Sequence, residues 1–296
     1  MGRVVAVVNR KGGVGKTTTT VAIADALISE LRQNVCVIDL DPQASASIAL
    51  AGQARTLLKA QSRQDFAGLV QAKMERPDTA LESYRIGMVN VIKGRAQFTL
   101  DVFNNSDRYW GVESDITQQG QALALKQVIE DLIAEISSRY EYVLLDCPPG
   151  ESVASSAGLL SADLILCPTV ADRLSYWGLQ GLGRYIEKVD ESLLDRSRFI
   201  LTRYQERLIE DRQTYSVLSG EKPPEGWPCG DQKPPFPVLT VGSRGGHEDL
   251  ATIRESKNFV KRLGRVKPGT LNSIYGDATL DIGNAAKAID RMLSDD

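Results

Sequence analysis

Apolar positions at the N-terminus switch from a strand pattern to a helix pattern and back within forty residues. Val4, Val5, Ala6, Val7 and Val8 form a short β-branched run, the signature of a parallel strand buried on both faces. Val21, Ala22, Ala24, Leu27, Ile28 and Leu31 then recur at helical spacing, and Val35 to Leu40 forms a second apolar run. Strand, turn, helix and strand in this order make a βαβ unit of a parallel sheet. The same patterns predict a helix over Gln121–Ser138, strands over Tyr142–Leu145 and Leu164–Val170, a helix over Leu179–Val189 and a strand over Phe199–Thr202. Residues 52–121 are more polar; helical pieces are expected around 54–75 and a short strand over Met88–Ile92. A strand over Val238–Val241 and helices at about 249–263 and 282–293 complete the pattern. The fold class is therefore α/β: a mostly parallel twisted sheet flanked by helices on both faces, expected as a single domain over residues 1–296.

Six of the twelve prolines lie between Pro223 and Pro237. Proline is excluded from helix interiors and central strands, so an irregular Pro-rich insertion is expected around 208–237. The remaining composition, 42% hydrophobic and 25% charged, is that of a globular protein and excludes collagen, coiled coil and wholesale disorder. A chain of 296 residues buries enough surface to need neither disulfide nor metal for stability. Cys36, Cys147, Cys167 and Cys229 are far apart; the first three fall in apolar runs and read as reduced core residues, which suits a cytoplasmic protein. A single histidine, His247, makes a His-based metal site improbable. No apolar run approaches the ~18 residues of a membrane span, and the chain enters a strand where a signal peptide needs its hydrophobic core, so neither is expected. The net charge of −3 does not mark a nucleic-acid binder; only a local patch could.

The segment from Arg10 to Thr18, RKGGVGKTT, carries the most chemistry. Its glycines let backbone N–H groups turn inward around an anion, and the helix that opens near Lys16 directs its positive end at the same point. Gly12, Gly13, Val14, Gly15, Lys16, Thr17 and Thr18 are the candidate phosphate cradle. Lys16 can reach the β- and γ-phosphates, and the Thr17 hydroxyl can ligate Mg²⁺. Two further segments supply carboxylates. Asp39 and Asp41 end the second apolar run two residues apart, so both can point to the sheet's carboxyl edge, where ligands of open α/β sheets bind. Asp146 ends another buried run, in the Walker B arrangement, where a carboxylate can hold a Mg²⁺-bound water. Cys147, beside it, reads as a core thiol.

The loop departs from the ordinary G-x-x-x-x-G-K-[ST] pattern by carrying Arg10 where glycine is usual and by adding Lys11. In this form it resembles the deviant phosphate-loop ATPases of the ParA/MinD family, whose loop reads K-G-G-x-G-K-[ST]. The D-x-D-P-Q segment at Asp39–Gln43 and Leu145-Asp146-Cys147-Pro148-Pro149, close to D-x-P-P, extend the resemblance. Weaker matches follow at Pro168–Val170, Tyr176–Leu182 and Leu201–Arg207, so the likeness covers roughly residues 3–50 and 140–207. It implies ATP and Mg²⁺ as cofactors and slow ATP hydrolysis. It gives Lys11 a place on the partner's ATP in a nucleotide-sandwich homodimer. It gives Asp41 the attacking water, and Asp39 support of the metal or the switch region. Relatives of the ParA type bind non-specific DNA as ATP dimers and answer to a ParB-like adaptor, which implies a nucleoid-associated cytoplasmic protein that moves a plasmid, a chromosome origin or a protein assembly.

DNA binding needs clustered cations facing phosphates. Arg254, Lys257, Lys261 and Arg265 step by three and four, so a basic helix around 249–263 would align them. Arg207 matches a DNA-contacting position in the resemblance, with Arg203 and Arg244 as possible neighbours. A MinD-like membrane helix is disfavoured, because the chain's last residues are acidic with a small apolar face. The rival reading is an ATP-dependent synthetase or amidase on the same loop, without a DNA role. A cluster-bearing electron carrier would need bridging cysteines in a suitable loop context. A tyrosine-kinase reading would need a C-terminal tyrosine cluster, and only Tyr275 lies in the last eighty residues.

Overall fold

The computed structural model describes residues 1–93, 96–218, 221, 234–244, 247–255 and 274–294. Its main sheet has eight strands. In chain order these are β1 (Arg3–Val7), β2 (Val35–Asp39), β3 (Arg85–Lys93), β4 (Ala96–Phe103), β5 (Tyr142–Asp146), β6 (Leu164–Val170) and β7 (Ser197–Tyr204), joined by a late strand, β10 (Thr252–Arg254). The spatial order is β10-β7-β6-β1-β5-β2-β4-β3. All neighbours pair in parallel except β3, which runs antiparallel to β4 at the edge. A separate two-stranded ribbon joins β8 (Thr240–Arg244) to β9 (His247–Leu250).

Alternation along the central strands builds two cores. Val4, Ala6 and Val8 of the β1 segment face one, and Val5 faces the other. The first core is covered by α4 (Phe66–Glu75), α5 (Arg108–Gln118), α6 (Ala122–Ser137), α7 (Val153–Leu160) and α8 (Arg173–Val189). The second is covered by α1 (Lys16–Ser29), α2 (Ser45–Ala51) and the last helix, α10 (Thr279–Met292). Two further helices, α3 (Gln53–Gln61) and α9 (Ile209–Leu218), lie after α2 and β7. Cys36, Cys147 and Cys167 are buried free thiols, as their apolar surroundings predict. Among the described residues no helix is long and apolar enough to cross a membrane.

The β1–α1–β2 unit, the strands at 142 and 164, and the final helix stand where the periodicity places them. Elsewhere packing overrides local pattern. β4 and α5 are unforeseen in the sequence: β4 joins β2 to β3, with polar Gln97, Thr99 and Asp101 alternating through it, and α5 packs on α4 and α6 with only Tyr109 and Val112 buried, too few to mark a helix. Helix α8 begins six residues before Leu179, because Asp172 caps it by accepting from Ser175 N at 2.7 Å. The expected insertion around 208–237 opens as a regular helix, α9, over a stretch without proline. The Pro-rich part returns at Phe236, which packs on Phe199 with ring centroids 6.4 Å apart. The expected strand at Val238–Val241 is a single parallel bridge at Val238 followed by β8.

The basic helix around 249–263 is corrected. Residues 247–250 and 252–254 are strands, and Ala251 and Ile253 point into the second core with the period of two that extended chain imposes. Pairing with β7 satisfies the backbone of Thr252, Ile253 and Arg254, so Arg254 is a strand residue. Residues 256–263 lie outside the described residues.

Candidate functional site

The glycine loop crosses from β1 to α1 at the carboxyl edge of the sheet. Gly13 and Gly15 take φ of 76° and 88°, left-handed values that a Cβ would strain. A Cβ on Gly12 or Gly13 would meet nothing within 4 Å, so the mouth of the loop is open. Gly15 is the N-cap of α1 and supplies no side-chain cap, which leaves the first-turn N–H groups directed to that opening. Neighbouring strands clamp the loop. Thr202 Oγ1 on β7 donates to the Val14 carbonyl at 2.7 Å. The buried Asn9 side chain donates to Pro168 O at 2.8 Å and accepts from Lys11 N at 2.9 Å.

Beneath the loop, Asp39 and Asp146 are register partners on adjacent strands and are fully buried. Asp146 accepts from Thr17 Oγ1 at 2.7 Å and Thr20 Oγ1 at 3.0 Å. Asp39 accepts from Ser47 N at 2.8 Å, Ser47 Oγ at 2.6 Å and Asp41 N at 3.1 Å, so its oxygens hold α2 and the following turn. Asp41 accepts from Gln43 N at 2.9 Å. Burial, with the charge of Asp146 adding, pushes Asp39 well above the usual carboxylate range. Burial pushes Asp146 to about 6, although its Thr17 and Thr20 hydrogen bonds oppose the rise. Burial lowers the Lys16 ammonium, against the pull of Asp146 and then Asp41. The Thr17 and Asp146 oxygens are the hard donors that magnesium takes, and a dication here would offset the crowding that disfavours both carboxylates. The donor set fits Mg²⁺.

These groups open on a cleft of ≈ 550 Å³, lined by Gly12, Lys16, Thr17, Asp41, Gln43 and Tyr275 among others. On the other flank of the loop a smaller cleft of ≈ 180 Å³ lies between Gly15, Thr18 and Thr202 and the side chains of Arg203, Arg254 and Glu255. Arg203 has φ 55°, a left-handed backbone value uncommon away from glycine.

The fold thus gathers Gly12, Gly13, Gly15, Lys16, Thr17, Thr18 and Asp41 around one opening, with Asp146 on the Thr17 hydroxyl. Val14 instead turns inward as a core residue. Lys11 lies outside that lining and donates to Ser175 Oγ at 2.8 Å. Three of the expected DNA-facing arginines, Arg203, Arg207 and Arg254, lie around Glu255 and Gln205. Arg203 pairs with Glu255 at 3.1 Å and Arg254 with Asp281 at 2.7 Å, while Arg207 rests on Gln205 Oε1 at 3.1 Å. Arg244 belongs to β8, and Lys257, Lys261 and Arg265 fall outside the described residues. Asn9, Thr20, Ser47 and Thr202 were not singled out in the sequence. Thr20 carried a signal as the last of four consecutive threonines after Lys16, and Thr202 as part of the matched Leu201–Arg207 segment.

A family model described as an AAA domain matches residues 2–198. The chromosome partitioning protein ParA of Caulobacter vibrioides is 32% identical over 209 residues, covering 69% of this chain and 71% of that protein. The chain belongs to the ParA-type P-loop ATPases. Solved structures support the same fold. Cyanothece McdA in its apo form superposes with a TM-score of 0.69 at 15% identity, over 98% of this chain and all of that one. Cobyrinic acid a,c-diamide synthase from Mycobacterium smegmatis, crystallised with an ATP analogue and magnesium, gives 0.65 at 21% identity, over 99% and 96%. In this ParA-type chain the loop clamps and the paired carboxylates are the features built from its own residues.

Two outcomes follow from this geometry. The folded protein keeps the Asp146 proton up to about pH 6, whereas the unfolded chain loses it near 3.8. The stability this group contributes is present below the lower value and lost as pH rises through the upper one, a swing of about 3 kcal/mol. Asp146→Asn should remove that part of the pH dependence, so its melting temperature, measured without nucleotide or metal from pH 4 to 7, should fall less than that of the wild type. Thr202→Val strips the Val14 carbonyl of its donor and should lower stability by about 1–3 kcal/mol in urea denaturation.

Proposed function

We propose that this protein binds Mg-ATP in the larger cleft, forms an ATP-dependent sandwich homodimer, and hydrolyses ATP slowly under the control of a ParB-like adaptor. ATP-bound dimers hold non-specific DNA, and stimulated hydrolysis releases them, so that a plasmid, a chromosome origin or a protein assembly is partitioned or positioned over the nucleoid in the cytoplasm. The observation that carries the nucleotide reading is the Thr17–Asp146 contact of 2.7 Å directly under an uncapped, glycine-led helix start.

Each residue has a separable task. The amides of Gly12 to Thr18 and the positive end of α1 receive the phosphates. Lys16, nearly buried, neutralises charge between the β- and γ-phosphoryl groups. Thr17 and Asp146 hold the magnesium, whose contribution is to offset the charge on the phosphoryl oxygens. Asp41 lines the cleft and orients the attacking water. Asp39, its oxygens engaged by Ser47 and the Asp41 amide, supports the switch region rather than the metal. The nucleoside extends past Thr18 into the smaller cleft, which assigns Arg203 and Arg254 to that wall. DNA contact then falls to Arg207, Arg244, Lys257, Lys261 and Arg265.

A second reading, an ATP-dependent synthetase or amidase, draws on the extension of the larger cleft beyond the phosphate loop to Val21, Ala49 and Tyr275, which leaves room for a small second substrate. It predicts turnover dependent on that substrate and indifferent to DNA.

Lys16→Ala should weaken ATP binding by about 10- to 100-fold in a fluorescent-nucleotide titration, the cost of losing a charged phosphate contact. Asp41→Ala should bind ATP normally, release no phosphate and accumulate dimer in light scattering; normal turnover would refute its role. In a DNA shift assay the wild type should retain duplex DNA with ATP, but not with ADP or without nucleotide, and retention should fall steeply with salt. DNA retention equal in all three nucleotide states would count against the partition reading.

A further inference from the structure

Lys11 is the loop cation that the sandwich reading sends to a second subunit, yet here it is engaged in its own. Its Nζ donates to Ser175 Oγ at 2.8 Å and lies 3.4 and 3.5 Å from the two Asp172 oxygens. Both acceptors belong to the start of α8. The Asp172 side chain accepts from Ser175 N at 2.7 Å, and Ser175 Oγ donates to Asp172 Oδ2 at 2.9 Å while accepting from Lys11. Asn9 fixes the direction of approach, holding the Lys11 amide with one side-chain atom and the β6 carbonyl of Pro168 with the other. The neighbouring Arg10 reaches the same side, 3.5 Å from Glu151 and 3.4 Å from Gly181 O on α8.

An ammonium group at a helix N-terminus faces the positive end of the macrodipole. The attraction that keeps Lys11 there is therefore supplied by the Asp172 carboxylate, with Ser175 as a neutral acceptor. We infer that Asp172 and Ser175 form a latch that holds Lys11 in its own subunit, and that dimerisation across the nucleotide must first open it. The inference rests on the sandwich reading for its consequence, and on the three contacts of Lys11 for its existence.

The size of the effect follows from exposure. Lys11 and Asp172 are 40% and 36% exposed, so the pair is largely screened by water and each latch changes the competent fraction by only roughly two- to fivefold. Two subunits must both open, and the apparent affinity scales with the competent fraction of each, so the dimer constant changes by roughly 4- to 25-fold. Such a latch is weak enough to be released by a nucleotide-bearing partner and strong enough to hold back pairing at low concentration.

The test compares the full-length wild type with Asp172→Asn, which keeps an acceptor for the α8 cap while removing the charge, and with Ser175→Ala, which keeps the charge and removes the hydroxyl. Lys11 reactivity towards an acetylating reagent is read by mass spectrometry in nucleotide-free monomer. Dimer dissociation constants are read by sedimentation with magnesium and a non-hydrolysable ATP analogue. Asp172→Asn should raise Lys11 reactivity roughly two- to fivefold and tighten the dimer by roughly 4- to 25-fold, with Ser175→Ala intermediate. Unchanged Lys11 reactivity in both variants overturns the latch. Raised reactivity with an unchanged or weaker dimer overturns its competition with pairing. A wild type that stays monomeric with the analogue overturns the sandwich reading itself, while the reactivity measurement still judges the latch.

Discussion

The architecture turns on two carboxylates, Asp39 and Asp146, placed side by side on neighbouring strands and sealed from water. Burial and mutual repulsion both disfavour their charged forms, so this arrangement persists only with compensation. Hydroxyls supply part of it: Thr17 and Thr20 for Asp146, Ser47 for Asp39. Those same hydrogen bonds tie α1 to β5 and α2 to β2. What remains is the cost of ionising two adjacent buried carboxylates, opposite the positive end of a helix and next to the Lys16 ammonium. A magnesium nucleotide matches that arrangement, since it would bring a dication to the Thr17–Asp146 pair and phosphates to the helix end.

Parallel pairing is what brings these groups to one edge. In a parallel sheet every strand delivers its C-terminal residue to the same side, so Asp39, Asp146 and the loop after Val7 meet although they are far apart in the chain. The strands beyond β1 serve the loop from the other flank. Thr202 at the end of β7 holds the Val14 carbonyl, and Pro168 on β6 holds Asn9. The loop's glycines provide its shape, but its position comes from these two side-chain clamps. A consequence is that Lys11 leans towards α8, into contact with the cap that begins that helix.

Much of this was legible in the chain. The β1–α1–β2 unit, the glycine loop with Lys16 and Thr17, and the apolar run ending in Asp146 are local patterns, each set by burial on both sheet faces or by a short steric requirement. The elements misread or missed are those whose pattern is diluted by polar residues. β4 carries the buried Asp101, paired with Arg85, and α5 presents only two buried side chains. β10 has three residues, too few for its alternation to outweigh the helical spacing of the cations that run on from Arg254 in the sequence. Its Arg254 is engaged by Asp281, near the start of α10, a partner that no spacing rule points to.

The sequence by itself determined the fold class, the phosphate loop and the carboxylates that end the second and fifth strands, because each depends on neighbours within a few residues. The tertiary structure alone decided which oxygens those carboxylates spend on α2 and which on Thr17, where Arg203 and Arg254 stand, and that Lys11 rests on Asp172. These are contacts between segments up to about 160 residues apart. Their geometry is fixed by strand order and register, which local hydrophobic periodicity does not encode.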